Sequence, residues 1–442
     1  WVHNDKYAIE YYELLKKDEK KYYEDYKDLV EKVNNSSAYY HGEPIPVTYQ
    51  GFFYDKTAKA DFQYMADMLM SITKKITKEY VENPEYRKHF RFSKELEELI
   101  VHDPGYDIPV PICRYDVFYR DRDEFKFVEF NTDGASAMNE DNTIGKIMLE
   151  TKGMKEFSEK YHLENVEEIH RWAKDSVELY KKVKGKEKPN VAIVDHLEIG
   201  TSNEFEEFKK AYESLGVNCE IIDIRDLEYK DGKLQHKGYE IDLVYRRIVT
   251  VEFMNLYDEL EEFRKAYLDN AFLMLGSFRS QIMHYKLTYK IFRLEDTKKI
   301  LTDEENAFLE EHIPYTEEFA AEEDLEIVKK NKDNYIFKPL DAYASQGIYV
   351  GRDHSQEEFE KIAEEILGTG YIYQEYYDQY PLKVVEFDKE GKLQLNEFGA
   401  VVGMFIYNEQ FVAPYTRIGQ DNLISGARKY YTTPNIFIKE NV

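Results

Sequence analysis

Apolar and polar positions alternate in two short runs, ICRYDVFY at 112–119 and FKFVEFN at 125–131, on either side of the charged stretch Asp121-Arg122-Asp123-Glu124. Period-two alternation interrupted by a polar turn predicts a β-hairpin with a four-residue connection. With Arg120 opposite Phe125, strand periodicity sets Asp116 opposite Glu129 and Arg114 opposite Asn131, all on one face. Elsewhere the spacing is helical. Residues 5–33 read as a charged helix with scattered Tyr and Leu that packs on the outside of the body, and 56–83 as a helix with Ala58, Phe62, Met65, Met68 and Leu69 on one side. A helical segment over 142–180 leads away from the hairpin.

After Lys188-Pro189 the texture changes. Residues 191–196 and 218–224 read as short buried strands around a helix at 203–215 closed by Gly216, a βαβ unit that implies a parallel sheet. A third strand, 241–247, ends on Arg246 and Arg247. At the C-terminal edge of a parallel sheet these would meet a substrate; as the bland alternative they are solvated surface partners. The first turn, 196–202, carries neither G-x-G-x-x-G nor a Walker lysine, which disfavours a dinucleotide or P-loop site. The last third runs from a helix carrying Lys286 through an acidic helical stretch, 304–332, into a β region. Its strand 335–340 precedes the loop Asp341-Ala342-Tyr343-Ala344-Ser345-Gln346-Gly347 and a return strand, 348–351. A helix at 356–367 and a strand at 371–376 follow, then hairpins 383–388 with 393–398 and 401–407 with 411–417.

Composition narrows the class. A chain of 442 residues exceeds what one hydrophobic core supports, so two or three lobes are expected. No apolar run approaches the roughly 18 residues needed to cross a bilayer, and the expected location is cytoplasmic. Because the sequence starts at Trp1 and not at Met, residues can precede it, and a lost targeting segment stays open. The two cysteines, Cys113 and Cys219, are too few for a disulfide framework or a zinc site and read as buried thiols. The net charge of −27 repels nucleic acid and anionic membranes, so neither is an expected partner. ATP is not excluded, since local lysines and Mg²⁺ can reverse the field inside one cleft. The 39 tyrosines follow no repeat and read as amphipathic core and surface residues.

The candidate chemistry starts in the hairpin. Carboxylates facing each other across a strand pair repel, so Asp116 and Glu129 need a compensating positive charge, which a bound cation supplies. With the Asn131 amide oxygen they form an incomplete shell of hard donors, suited to Mg²⁺ that shares phosphate oxygens with a substrate. The rival is a surface hairpin of solvated charges. Gly134, Ala135, Ser136 and Ala137 then form a small-residue loop that a ligand can approach closely. Lys338, between Phe337 and Pro339, is placed as a buried lysine that requires anionic partners, and the loop after it, with Ser345 and Gly347, can lay N–H groups over phosphates. Gln374 and Glu375 suit an adenine edge and a ribose hydroxyl, or equally a surface strand end.

This order of pieces, a helical lysine, a strand lysine before a loop, then a strand ending in Gln-Glu, resembles the nucleotide-binding half of an ATP-grasp enzyme. Glu129-Phe130-Asn131 precedes those elements here, whereas the ordinary fold places its metal motif after them. That is similar to the circularly permuted branch. Arg114-Tyr115-Asp116 followed by Glu129-Phe130-Asn131-Thr132-Asp133 resembles the synthetase domain of glutathionylspermidine synthase and its relatives, over about residue 41 to the C-terminus. The resemblance implies an α+β/α/β architecture, a circularly permuted ATP-grasp fold with a Rossmann-like pre-ATP-grasp lobe. Its parts would be an N-terminal helical extension (1–40), the permuted metal-binding part (41–180), the pre-ATP-grasp lobe (181–280) and the nucleotide-binding part (281–442). It further implies that Asp116, Glu129 and Asn131 ligate Mg²⁺ and that Arg114 contacts the transferring phosphoryl group. Lys286, Lys338 and Ser345 would hold ATP phosphates, with Gln374 and Glu375 at base and ribose. Arg417 would stabilise an acyl phosphate, and Ser136 would touch the carboxylate substrate.

Departures qualify the substrates. The loop after Lys338 is poor in glycine, the late segment reads Thr416-Arg417-Ile418-Gly419 where the family has an Arg-Glu-Asp run, and the amidase domain of bifunctional members is absent from this sequence. Asn396-Glu397 is a rival acidic site. The expected activity is ATP-dependent ligation of a small-molecule carboxylate to an amine, with ATP and Mg²⁺ and without a covalent side-chain nucleophile. Its alternatives are a small-molecule kinase on the same fold and a degenerate ATP-grasp scaffold. The middle-lobe sheet offers an edge for a homodimer.

Overall fold

The hairpin forms as Ile112–Tyr119 and Phe125–Asn131, within a six-stranded antiparallel sheet. Next to Ile112–Tyr119 runs Leu393–Tyr407, followed by Gln410–Gly419 and Tyr431–Thr433; Leu382–Phe387 pairs with the first part of Leu393–Tyr407. The two hairpins expected over 383–417 therefore share one continuous 15-residue strand. The computed structural model describes residues 3–40, 42–186, 188–199, 202–340, 347–424 and 430–440.

The hairpin register agrees with expectation where the chemistry lies and differs at the turn. Asp116 faces Glu129 and Arg114 faces Asn131, but Tyr119, not Arg120, faces Phe125. The turn is one residue tighter because Arg120 N–H donates to the Glu124 carbonyl at 3.0 Å. The Asp121 carboxylate fixes it by accepting the N–H groups of Asp123 and Glu124, both at 2.9 Å. A β-bulge then absorbs the extra residue, leaving Val128 without a partner in the ladder. Period two holds on the inner side: Cys113, Tyr115 and Val117 enter the main core beside Phe62, Met65 and Leu69.

A second antiparallel sheet has the order Thr316–Glu318, Tyr371–Glu375, Tyr335–Pro339, Tyr349–Val350. The expected βαβ unit is present, with Val191–Asp195 and Cys219–Asp223 parallel around the helix Ser202–Ser214. Leu243–Arg246 and Leu273–Leu275 extend that sheet on the other side of Val191–Asp195, also in parallel. Cys113 and Cys219 are free and buried, one in each sheet system. Among the described residues no helix is long and apolar enough to cross a membrane.

Three helical expectations need correction. The N-terminal helix is two, His3–Leu15 and Glu19–Asn34, joined by a 3-10 turn and capped by Asp18. They are integral to the body, since Tyr7, Tyr11 and Tyr22 are buried against Tyr49, Phe53 and Phe157. The 142–180 stretch is broken by the strand Tyr161–Glu164, which pairs with the distant strand Asn435–Glu440. The acidic 304–332 stretch holds the strand Thr316–Glu318, pairing with Tyr371–Glu375, just after the helix-breaking Pro314. In both cases a distant strand edge overrides local helical spacing.

One buried cluster locks the hairpin to the parallel sheet. Asp133 accepts from Arg246 Nη2 at 2.8 Å, Thr250 N–H at 2.6 Å, Thr250 Oγ1 at 2.9 Å and Ser280 Oγ at 3.1 Å. Arg246 also donates to the carbonyls of Gly276, Ile248 and Ser277. Burial alone would raise the Asp133 carboxyl; the Arg246 charge and the Thr250 N–H outweigh it and hold it below the ordinary carboxylate range. Asp133→Asn strands the buried guanidinium, and a loss of about 3–5 kcal/mol is expected, read as an earlier urea midpoint at neutral pH. Because the folded-state pKa is depressed, the wild-type contribution is present above the unfolded carboxylate pKa and fades as pH falls through the folded value. The gap between wild type and variant should therefore close in acid; a gap that stays constant with pH would show that Asp133 is not the ionised partner.

Candidate active site

The hairpin face, the Thr316–Glu375 sheet and the loop 134–137 enclose a cavity of about 320 Å³. Across four neighbouring strands its floor reads Glu129, Asp116, Gly403, Tyr415 in register. Gly403 has a specific reason to be glycine, since a Cβ there would lie 2.7 Å from Arg114 Cδ and 3.0 Å from the Tyr415 carbonyl. Its bare backbone lets the Arg114 side chain lie across the middle strand.

Asp116 is shared by three side chains. Arg114 Nε donates to its Oδ1 at 2.9 Å, and Arg417 Nη2 and Asn131 Nδ2 both donate to its Oδ2 at 3.1 Å. Burial pushes this carboxyl up, and the two guanidiniums outweigh burial and hold it below the ordinary range. The positive charge that an Asp116–Glu129 pair requires is thus supplied in part by arginines. Arg114 Nη1 donates to the Ser136 carbonyl at 2.8 Å, which fixes the small-residue loop against the floor.

Glu129 lines the cavity half-buried, and its charge is felt by Lys338, His284 and Arg114. Its carboxylate accepts no hydrogen bond among the described residues. Asn131 turns its amide nitrogen to Asp116, which leaves its oxygen for another partner. One open carboxylate, one amide oxygen and the shared Asp116 form a donor set that fits a hard cation completed by waters and phosphate oxygens. No group of three or more His, Cys, Asp or Glu side chains placed to hold a metal occurs among the described residues, so a substrate would have to complete the shell.

The opposite wall carries the lysines. Lys338 Nζ donates to the Val128 carbonyl at 3.1 Å and to Gln374 Oε1 at 2.9 Å. Val128 is the residue that the bulge leaves without a partner in the ladder, so Lys338 is anchored at the register slip. Burial pushes the Lys338 ammonium down to about 8, with Glu129 opposing and Lys286 adding to the shift. Lys286 lines the same cavity, in the turn between the short helices Gln281–His284 and Thr288–Ile291 and not on a helix. Gln374 is committed to Lys338 and, through Nε2 at 2.8 Å, to Thr316 Oγ1. Glu375 accepts from the Tyr377 hydroxyl at 2.8 Å.

Ten of the residues singled out from the sequence therefore converge: Arg114, Asp116, Glu129, Asn131 and Ser136 from the hairpin half, and Lys286, Lys338, Gln374, Glu375 and Arg417 from the C-terminal half. Arg246 and Arg247 do not join them. Arg246 belongs to the Asp133 cluster, and Arg247 is buried against Glu204 at 2.6 Å and the rings of Phe205 and Tyr245. Both are spent on burying charge, not exposed at a sheet edge. Ser345 lies outside the described residues. The rival pair is away from the cavity, with Asn396 bonded to Glu386 at 2.7 Å and the exposed Glu397 near Lys383 at 3.3 Å.

Three lining residues carry no sequence signal of their own. His284 turns Nδ1 to the Phe130 carbonyl at 3.1 Å, and burial lowers its pKa. Tyr415 donates its hydroxyl to Glu140 at 2.6 Å. Strand alternation does place Tyr415 on the face of Arg417, but nothing local in the sequence ties a first-turn helical glutamate to it.

No family model matches the chain, and no curated protein matches it. Among solved structures, a glutathione synthetase-like effector (GSS30) from Globodera pallida, in its apo form, matches over 95% of this chain and 94% of its own at a TM-score of 0.56 and 10% sequence identity. At that identity the likeness shows a shared fold. A putative γ-glutamylcysteine synthetase from Methylobacillus flagellatus KT covers 83% of this chain and 87% of its own at 11% identity and a TM-score of 0.42. The ATP-grasp ligase PsnB, complexed with a phosphomimetic minimal precursor, Mg and ADP, covers 55% and 88% at 11% identity and a TM-score of 0.30. These last two superpose too loosely to carry an argument.

A depressed, cavity-facing Lys338 should acquire its neutral form as pH rises through about 8, below surface lysines. Competitive acetylation followed by peptide mass spectrometry should show Lys338 labelling rising about two pH units before the bulk of the lysines. A Lys338 profile parallel to theirs would contradict the buried anchor at Val128 and Gln374.

Proposed function

We propose that the chain is an ATP- and Mg²⁺-dependent ligase that joins a small-molecule carboxylate to an amine through an acyl phosphate, on a circularly permuted ATP-grasp fold. The observation that carries this reading is the convergence, in one cavity, of the Asp116–Glu129–Asn131 oxygen set with two arginines and two lysines. Permutation is supported by the sheet itself, where Ile112–Tyr119 pairs with Leu393–Tyr407 from the far end of the chain. On this reading 41–180 and 281–442 are two parts of one catalytic unit and 181–280 is the Rossmann-like pre-ATP-grasp lobe.

In this scheme Lys338 and Lys286 bind the ATP phosphates, with Gln374 acting as the clamp that aims Lys338 in place of reading the base. Glu375, steadied by Tyr377, lies where a ribose hydroxyl would be accepted. Phe118, Val401, Ile424 and Tyr430 form an apolar wall on the same cavity that suits an adenine ring. Asp116, Glu129 and Asn131 would hold Mg²⁺, which when bound neutralises charge on phosphate oxygens. Arg114 and Arg417 flank the point where the phosphoryl group passes to the substrate carboxylate, so fixed positive charge meets the charge that develops there. Ser136, in the loop held by Arg114, is placed for the carboxylate substrate. A binding scaffold is less well supported: the exposed large apolar side chains among the described residues are Leu197, Ile199, Tyr315 and Ile327, too few and too scattered for a broad docking patch.

A thermal-shift titration with ATP, with and without Mg²⁺, tests the site. Wild type should gain about 2.7 kcal/mol at ligand concentrations near one hundred times Kd, and Glu129→Gln should keep its fold but lose the Mg²⁺-dependent part. An undiminished Mg²⁺-dependent shift in the variant would remove the hairpin from the metal site, and a stable phosphate ester as product would replace the ligase with a kinase.

A further inference from the structure

Five carboxyl side chains line the cavity: Asp116, Asp133, Glu129, Glu375 and Glu140. The first two are neutralised by arginines, Glu375 is bonded to Tyr377, and Glu129 is the open cation donor. Glu140 is left without a task. It stands in the first turn of the helix Met138–Leu149, directly after the Gly134–Ala137 loop, and is 9% exposed. One oxygen accepts the Tyr415 hydroxyl at 2.6 Å, and the other accepts no hydrogen bond among the described residues.

The surroundings define what such a carboxyl can do. Arg114 and Arg417 each lie over the Tyr415 ring, at 5.6 Å from its centre, so Glu140 sits one side chain beyond the two guanidiniums. The charged and titratable groups that act on it are Tyr415, Glu204, Arg114 and Arg417. Burial pushes its carboxyl up to about 7, with the Tyr415 hydrogen bond opposing and Glu204 adding to the rise. A carboxylate in that range can both take and release a proton near neutrality. His284, another titratable side chain lining the cavity, lies among Asp133, Lys286 and Glu129.

We propose that Glu140 is the proton acceptor for the amine nucleophile, receiving its ammonium beside Tyr415 as the nitrogen approaches the acyl carbon held near Arg114 and Arg417. This rests on the ligase reading above. The Glu140 carboxylate takes one proton from the ammonium and frees the nitrogen lone pair. The N–C bond then forms, and the C–O bond to the phosphoryl group breaks with its electron pair on the departing phosphate. A second N–H proton leaves with that phosphate. The products are an amide, hydrogen phosphate and protonated Glu140, which returns its proton to water. The field of a chain with net charge −27 favours approach of a cationic amine.

Hydroxylamine separates the steps, because it is uncharged at neutral pH and needs no proton acceptor to attack an acyl phosphate. Wild type and Glu140→Gln are incubated with ATP, Mg²⁺ and the small-molecule fraction of a cell extract, with and without hydroxylamine. ADP, hydroxamate and amide products are followed by mass spectrometry. The variant is expected to retain hydroxamate formation within a few-fold and to form amide about 100-fold more slowly or worse, with the deficit narrowing as pH rises and free amine becomes available. Equal amide formation, or parallel loss of hydroxamate and amide in folded variant, overturns the role of Glu140. Absence of ADP release by wild type under every condition overturns the ligase reading and this inference with it. Tyr415→Phe is the second variant: loss of its hydrogen bond should move the pH limb of amide formation upward while hydroxamate formation stays level, and an unmoved limb counts against the proposal.

Discussion

Asp116 is a buried carboxylate shared by two arginines that come from opposite ends of the chain. Arg114 lies two residues away on the same strand, whereas Arg417 arrives from a strand two positions along the sheet. An unpaired charge at this depth would be strongly unfavourable, and the closed six-stranded sheet neutralises Asp116 with one arginine from each half of the chain. The same ion cluster fixes the Gly134–Ala137 loop through Ser136 and the face of Tyr415 through the stacked guanidiniums. One ion cluster thus ties together the strands and the loop that line the cavity.

The bulge at Val128 serves the opposite wall. Phe125–Asn131 is the edge strand of its sheet, and Val128, at the bulge, has no partner across the ladder. The slip of one residue between Val117 and Asp116 lies at the point where Lys338 reaches across from the second sheet to the Val128 carbonyl. The turn that makes the slip necessary is set by Asp121, whose side chain tightens it.

Much of this was legible in the sequence. The pairing of Asp116 with Glu129 followed from period-two alternation, and the βαβ unit from apolar runs flanking an amphipathic helix ended at Gly216. Convergence of the hairpin with Lys286, Lys338 and Arg417 came from the family resemblance, not from local pattern. What failed had a common cause. The strands Tyr161–Glu164 and Thr316–Glu318 are stabilised by partners 270 or 50-odd residues away, and local spacing cannot see a distant edge. Arg246 and Arg247 look like sheet-edge ligands in sequence, yet Asp133 and Glu204, both acidic residues from other segments, take them into the interior. Glu140 was missed for the same reason, since its significance lies in Tyr415.

The pairing of Ile112–Tyr119 with Leu393–Tyr407 also has a consequence for how the protein is made. On the ribosome the hairpin emerges long before the strand that covers its edge. At about 5–20 residues per second the interval is on the order of tens of seconds. During that time the open edge of Ile112–Tyr119 and the Asp116–Glu129 pair, with Arg114 alone beside it, stand exposed together. Arg417 adds the second guanidinium only when its strand has been made, and until then charge at the open edge disfavours pairing with a neighbouring chain. The sheet that the hairpin opens is therefore completed only once Leu393–Tyr407 and Gln410–Gly419 have been made.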